Sequence, residues 1–291
     1  MYNNNNTASA RRSVTEVTFA IFTLIAFSAN SLLCRVALGG HLIDPVSFTT
    51  LRLVSGTVGL IIFLRIIGTP KKKLKIKGSW GSGFALFIYA IAFSLAYVSL
   101  SAGMGSLILF GSVQVTMIGM ALRSGENLEP TQWIGLVIAI CGLVYIVMPG
   151  ISSPDPFGAL LMSVSGVAWG VYSIRGKGVS EPVAMTAKNF TCSAPMTIIA
   201  SAIGYPVAHL KPFGIILALI SGIIASGLGY VIWYNALRGL TISKASVIQL
   251  IVPVLTAFGG VAFLSEKISI RLITASIMIL GGVALVVLKK H

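Results

Sequence analysis

Apolar runs of about 20 residues occupy almost the whole of this sequence, and they constrain its fold more than any other feature. A helix needs roughly that length to cross about 30 Å of hydrocarbon at about 1.5 Å per residue. Lipid cannot hydrogen-bond an exposed backbone, so runs of this length must form helices. The prediction is an all-α integral membrane protein whose ten transmembrane helices lie at roughly 17–38, 46–67, 80–100, 103–122, 131–149, 156–174, 183–204, 212–237, 242–264 and 270–288.

The sequence also repeats itself with an offset of 140 residues. The apolar stretch from Gly105 to Pro130 ends near Glu126, and the stretch from Ala245 to Ile270 ends in the same way near Glu266. Further pairs at this offset are Arg35 and Arg175, Ser106 and Ser246, Gly119 and Gly259, and Gly142 and Gly282. We therefore predict two five-helix units, at residues 17–149 and 157–288, after a disordered cytoplasmic segment at residues 1–16.

The odd number of helices in each unit indicates a mechanism of transport. Because five is odd, the second unit must enter the membrane in the opposite orientation to the first. Inverted repeats related by a pseudo-two-fold axis in the membrane plane are typical of secondary transporters. In such proteins the two units pack slightly differently, and exchanging their packings opens a central cavity to the other side. A receptor, a scaffold or a membrane enzyme has no need for this inversion.

Charge and composition exclude a soluble nucleic-acid-binding protein. The chain is 56% hydrophobic and 10% charged, which leaves no room for a separate soluble domain, and its net charge is +14. With the N-terminus inside, most of the 21 basic residues fall at cytoplasmic helix ends, including the run KKKLKIK at residues 71–77. The positive-inside rule then predicts that both termini are cytoplasmic. We expect the protein to lie in a bacterial-type inner membrane. No basic segment is interleaved with stacking aromatic residues, so nucleic acid is not an expected partner.

One alternative concerns the N-terminus. Arg11 and Arg12 followed by FAIFTLIAFSANS have the order of a cleavable signal peptide. Cleavage would remove the first helix of the first unit, so the repeat favours an uncleaved helix. The three cysteines and three histidines show no metal-ligand spacing, and we expect neither a metal nor a cofactor.

Several segments resemble a known family. GENLEPTQWIGLVIAICGLVYIV and SEKISIRLITASIMILGGVALVVL are similar to the EamA-type repeat of the drug/metabolite transporter superfamily, in which an acid precedes a glycine-rich fifth helix. DPVSFTTLRLVSG resembles the same family's second-helix signature of a proline, an aromatic residue and an arginine. The resemblance implies ten helices, a cavity between the halves and transport of small metabolites, often outward. The second unit departs from the pattern, because Met185 and Asn189 stand where the first has Phe48 and Arg52.

Three basic residues lie within the predicted spans: Arg35, Arg52 and Lys188. Two interpretations are open: these long side chains reach the headgroups, or they contact substrate or gate the cavity. The family pattern favours Arg52 for the second. All seven acids lie at or outside helix ends, so a proton relay of the kind used by small multidrug-resistance relatives is not expected. We interpret Glu126 and Glu266 as residues that stabilise the turns before the fifth helix of each unit.

Polar and aromatic residues at helical spacing are the candidates for lining a cavity. A position in an interfacial belt, or packing against lipid, is the alternative for each aromatic residue. Pro253 should kink the ninth helix and is a candidate for gating, as are Arg52, Lys188, Glu126 and Glu266. Gly166 with Gly170, and Gly222 with Ser226, predict close helix contacts. The candidates for substrate contact are Asn30, Tyr89, Tyr97, Gln114, Trp169, Tyr172, Tyr230, Ser246 and Gln249.

The sequence offers no support for an enzyme. It has no GxxxxGK[ST] phosphate loop, no HExxH and no GxSxG, and general acid–base chemistry lacks groups at depth. The expected function is secondary transport of a small metabolite, with amino acids, aromatic ones included, as the favoured substrate. A flippase for lipid-linked substrates and a multidrug exporter of the same fold are the alternatives. The expected partners are the substrate and the lipid bilayer, for a monomer or a homodimer.

Overall fold

The structure, a computed structural model, is all-helical over the part of the chain that it describes: residues 3–68, 79–125, 129–148, 153–237, 242, 245 and 248–287. By length and composition, five of these helices are apolar enough to cross a membrane, and four others are shorter apolar helices. The helices are α1 Asn3–Gly39, α2 Pro45–Ile66, α3 Trp80–Ala96, α4 Ala102–Arg123, α5 Pro130–Val147, α6 Pro156–Arg175, α7 Pro182–Gly204, α8 Pro212–Leu237, α9 Ile251–Leu264 and α10 Ile270–Val287.

Local sequence explains where most of these helices begin. Proline occupies the first position of several of them, where its missing N–H costs nothing. The preceding residue is acidic in each of those four cases: Asp44, Glu129, Asp155 and Glu181. Asp44 and Asp155 accept hydrogen bonds from backbone N–H groups of the first turn. Hydrogen bonds from Gly158 N–H and the Ser99 hydroxyl lower the pKa of Asp155.

The ends of α3 and α1 differ from the predicted bounds by several residues, as does the start of α9. α3 ends at Ala96 rather than at residue 100, because the chain turns there and Ser101 caps the N-terminus of α4 by accepting from Met104 N–H. α1 begins at Asn3, so it continues back through the segment that the sequence predicted to be disordered.

Helices α5 and α10 show how the two halves are related. A Cβ atom added to Gly142 of α5 would lie 3.2 Å from the backbone nitrogen of Ile279 in α10. A Cβ atom added to Gly282 of α10 would lie 2.7 Å from the backbone nitrogen of Ala139 in α5. The 140-residue offset converts one contact into the other. The two helices therefore cross antiparallel about a pseudo-two-fold axis, which is the inverted arrangement predicted from the repeat.

The remaining packing between the halves obeys the same exchange. In the described residues α3 packs on α6 as α8 packs on α1, and α4 packs on α6 as α9 packs on α1. Gly166 of α6 lies against the backbone carbonyl of Leu109 in α4, and Gly259 of α9 lies against Leu32 of α1. Each half thus buries its apolar helices against the other half, and residues from both meet in the middle of one bundle.

Two departures from regular α-helix lie near the centre of this bundle. α8 contains a π-helical segment at Ser221–Leu228, a geometry that often marks functional sites. α9 begins at Ile251, and residues Gln249 and Leu250 before it form a turn. Pro253 cannot donate to the carbonyl of Gln249, and that carbonyl instead accepts from Val252 N–H at 3.0 Å. The predicted kink in the ninth helix is thus a break one turn before Pro253.

Candidate functional site

An aromatic cluster occupies the interface between the two halves, with Trp169 of α6 at its centre. The Trp169 ring centroid lies 5.0 Å from that of Tyr89 in α3 and 4.7 Å from that of Tyr230 in α8. It also lies 5.2 Å from Phe27 of α1 and 5.6 Å from Tyr172 of α6. All five rings are buried. Helices from both halves therefore supply the rings, and we call these five residues the aromatic cluster.

Gln249 closes one side of the aromatic cluster. Its side-chain oxygen accepts a hydrogen bond of 3.0 Å from the indole N–H of Trp169. Its side-chain nitrogen donates to the carbonyl of Ala245 at 3.3 Å and lies 3.7 Å from the sulfur of Met117. The break before Pro253 sets the position of this glutamine, because Gln249 lies in the turn itself. A fully buried amide in an apolar bundle needs such partners.

Arg52 of α2 lies on another side of the aromatic cluster, and its side chain is 0% exposed. Its Nε donates to Ser226 in the π segment of α8 at 2.8 Å. Its Nη2 donates to the hydroxyls of Tyr230 at 2.8 Å and Tyr89 at 3.2 Å. The guanidinium carbon also lies 5.2 Å from the ring centroids of Tyr89 and Phe93, in cation–π contact. Arg52 therefore does not extend to the headgroups, which removes one of the two interpretations of its sequence position.

A small cavity of about 10 Å³ opens beside these side chains, roughly the space that one water molecule requires. A substrate-sized molecule does not fit in this cavity. The residues that line the cavity are Phe27, Ser31, Tyr89, Phe93, Leu109, Phe110 and Trp169.

The other candidates for cavity lining are not members of the aromatic cluster. Asn30 is buried and accepts from the Ser221 hydroxyl at 2.7 Å, and Gln114 is buried in α4. Tyr97 is buried, and its hydroxyl donates to the carbonyl of Ala102 at 3.3 Å. Ser246 lies outside the described residues.

The gating candidates also differ in where the structure places them. Lys188 is exposed on α7, so the structure keeps it away from the aromatic cluster, unlike Arg52. Glu126 lies outside the described residues. Pro253 is buried in the first turn of α9, next to the break that positions Gln249.

Glu266 joins helix ends at one end of the bundle, and we call this contact the Arg35–Glu266 link. Arg35 Nε donates to Glu266 at 3.3 Å, while its Nη1 donates to the carbonyls of Tyr97 and Val98 at 3.1 Å each. Both carboxylate oxygens of Glu266 accept from the N–H of Ala102 at 2.9 Å, at the N-terminus of α4. Glu266 was predicted to stabilise its own turn, but these contacts reach across to α1 and α4.

Sequence reasoning missed two members of the site. Ser226 was interpreted as a packing residue together with Gly222. Gly222 does pack closely, because an added Cβ would overlap the backbone carbonyl of Arg52, but Ser226 also accepts from Arg52 Nε. Phe27 carries no polar signal in the first helix, yet its ring lies between Trp169, Tyr230 and Trp233. No pattern in the sequence distinguishes Phe27 from its apolar neighbours.

Comparison with known proteins identifies relatives along the whole chain. The EamA-like transporter family matches residues 14–148 and again residues 156–288. The chain is 44% identical to an uncharacterized protein of Pseudomonas aeruginosa, over 91% of this chain and 92% of that one. It is 20% identical to an Escherichia coli protein named a probable amino-acid metabolite efflux pump, over 90% of this chain and 91% of that one.

Solved structures support the fold. One crystal structure superimposes with a TM-score of 0.67 at 19% identity and covers 92% of this chain and 98% of its own. At that identity the likeness concerns the fold alone.

Proposed function

This chain belongs to the EamA-like transporter family, and from that premise we propose that it exports amino acids, aromatic ones included, across the bacterial inner membrane. The observation that carries the proposal is the aromatic cluster, which places buried polar and aromatic side chains from both halves around one point. Full-length similarity to a protein named a probable amino-acid metabolite efflux pump supports this substrate class.

Transport by this fold requires the aromatic cluster to open to one side at a time. The cavity holds about one water molecule, so an amino acid enters only when the halves move apart. The Arg35–Glu266 link closes one end by joining α1, the N-terminus of α4 and the loop after α9. In the proposed cycle this end opens while the opposite end closes, through an exchange of packing between the inverted halves.

The positions of the acids suggest that protons do not drive this cycle. Asp44, Glu129, Asp155 and Glu181 each stand directly before a helix, and Glu266 lies in the loop after α9. Glu16 lies inside α1 rather than at the predicted helix end, but it precedes the apolar span Thr18–Gly39, and Glu126 lies outside the described residues. A proton relay requires a carboxylate or histidine at depth in the membrane. We propose facilitated flux down the substrate gradient.

Flux in proteoliposomes tests the proposal. Vesicles are loaded with a panel of radiolabelled amino acids, and efflux is measured with and without an imposed pH gradient. Saturable efflux that is independent of the pH gradient is the expected result. Efflux that follows the pH gradient would show that the proposal of flux without proton coupling is wrong. Absence of efflux for every amino acid would refute the proposed substrate class in favour of drugs or lipid-linked substrates.

A further inference from the structure

Arg52 is a buried charge without a charged partner. The ion pair between described residues joins Arg35 to Glu266, so the described part of the chain supplies no carboxylate to Arg52. Neutral hydroxyls and ring faces meet Nε and Nη2, whereas Nη1 has no hydrogen-bond partner among the described residues. An isolated charge is costly inside a protein, and a guanidinium nitrogen carries two donors that need acceptors. The arrangement is incomplete as it stands.

The side chains around Arg52 also line the cavity. Tyr89 and Phe93 contact the guanidinium through their ring faces, and both lie on the cavity wall. Trp169 packs on Tyr89 and lines the same cavity. Arg52 itself is not among the lining residues, so a molecule that enters here reaches its guanidinium only when the halves separate.

We propose that Arg52 binds the carboxylate of the transported compound and that this carboxylate, rather than an ammonium group, is what the site recognises. A guanidinium fork binds the two oxygens of a carboxylate through two nitrogens. Nη1 is free, and separation of the halves releases one N–H of Nη2 from Tyr230 of α8. An ammonium group would meet only neutral acceptors such as the side-chain oxygen of Gln249. One buried guanidinium suits a monocarboxylate with an apolar or aromatic body better than a phosphate dianion.

The inference rests on the proposed function but narrows it, because it assigns selectivity to one end of the substrate. An amino acid and the same molecule without its amino group should bind alike. The corresponding amide and amine, which lack the negative charge, should bind poorly.

Binding in nanodiscs tests the assignment with four probes: L-phenylalanine, 3-phenylpropionate, phenylalaninamide and 2-phenylethylamine. We expect the two carboxylates to bind the intact chain with similar Kd values, and the amide and amine at least about tenfold more weakly, which corresponds to about 1.4 kcal/mol. Arg52→Gln should weaken the two carboxylates by at least that factor and leave the amine unchanged. Arg52→Lys, which keeps the charge but loses the fork, should fall between.

Lys188→Gln is the matched control, because it removes a positive charge from an exposed position of α7. Melting temperatures of all variants establish that each is folded. Equal affinity for the amine and the acids, unchanged carboxylate binding by a folded Arg52→Gln, or no carboxylate binding at all would each overturn the inference. If amino acids are carried but binding ignores the carboxylate, the inference alone fails. If carboxylates bind through Arg52 but no amino acid is carried, the proposed function alone fails.

Discussion

Removal of Glu266 should open the end of the bundle that the Arg35–Glu266 link closes. The carboxylate accepts from Ala102 N–H at the N-terminus of α4, next to the Ser101 cap, and also pairs with Arg35. Glu266→Ala loses both contacts. Because α1 and α4 are then joined at this end by fewer bonds, conformations in which they separate become more populated.

The size of the effect follows from the two contacts. Loss of the hydrogen bond from Ala102 N–H costs about 0.5–1.5 kcal/mol. The ion pair adds less, because the side chains of Arg35 and Glu266 are 25% and 16% exposed and solvent screens them. A total of about 1–2 kcal/mol corresponds to a change of roughly 5- to 30-fold in the open population.

Cys34 provides the assay, since it is 0% exposed and directly precedes Arg35. In a background with Cys141→Ser and Cys192→Ser, the rate of maleimide labelling in nanodiscs reports how often Cys34 becomes accessible. The rate should rise roughly 5- to 30-fold in Glu266→Ala, and less in Glu266→Gln, which keeps an acceptor for the helix end.

Ser79→Ala is the matched control at the other end of the bundle. Ser79 caps α3 and accepts from Arg175, the repeat counterpart of Arg35, at 2.8 Å. This substitution should leave Cys34 labelling unchanged. If Glu266→Ala labels Cys34 no faster than the intact chain, the Arg35–Glu266 link does not hold this end closed.

Three further predictions concern packing and the aromatic cluster. Gly282→Ala should lower the melting temperature by the equivalent of about 1–3 kcal/mol, because its Cβ would meet the backbone of α5. The neighbouring Gly281→Ala, whose Cβ meets nothing, should leave the melting temperature unchanged. Equal melting temperatures for the two variants would contradict the packing of the two halves. Trp169→Ala should abolish amino-acid flux without unfolding the protein. Trp133, which is 48% exposed on α5, provides the control, and Trp133→Ala should retain flux. Unchanged flux in both variants would remove Trp169 from the site. Pro253→Ala restores a backbone donor and should allow α9 to continue through the break, which should slow flux. A flux equal to that of the intact chain would show that the break is a static feature.

Most of the fold could be predicted from the repeat, because the number, order and inversion of the helices follow from the lengths of the apolar runs and the 140-residue offset. Site residues were harder to predict because α-helical periodicity does not separate protein-facing from lipid-facing positions when both faces are apolar. Arg52 and Lys188 illustrate this: they lie at similar depths in corresponding helices, yet one is fully buried and the other exposed.

Contacts between distant segments were equally invisible in the sequence. Arg35 and Glu266 are 231 residues apart in the sequence, and only the packing of the two halves brings them together. Gln249 and Trp169 are candidates from the sequence because a polar or amphipathic side chain is conspicuous in an apolar helix. Ser226 was not found, because small residues on α8 explain close packing equally well.

The antiparallel crossing of α5 and α10 has a consequence for motion. If the second end state arises by exchanging the packings of the halves, every contact is replaced by its counterpart 140 residues away. The contact of Gly142 with Ile279 becomes that of Gly282 with Ala139, and both are already present. This crossing can therefore stay closed throughout the cycle and act as a fulcrum, while the Arg35–Glu266 link, in which Arg35 has Arg175 as its counterpart at the opposite end, must break.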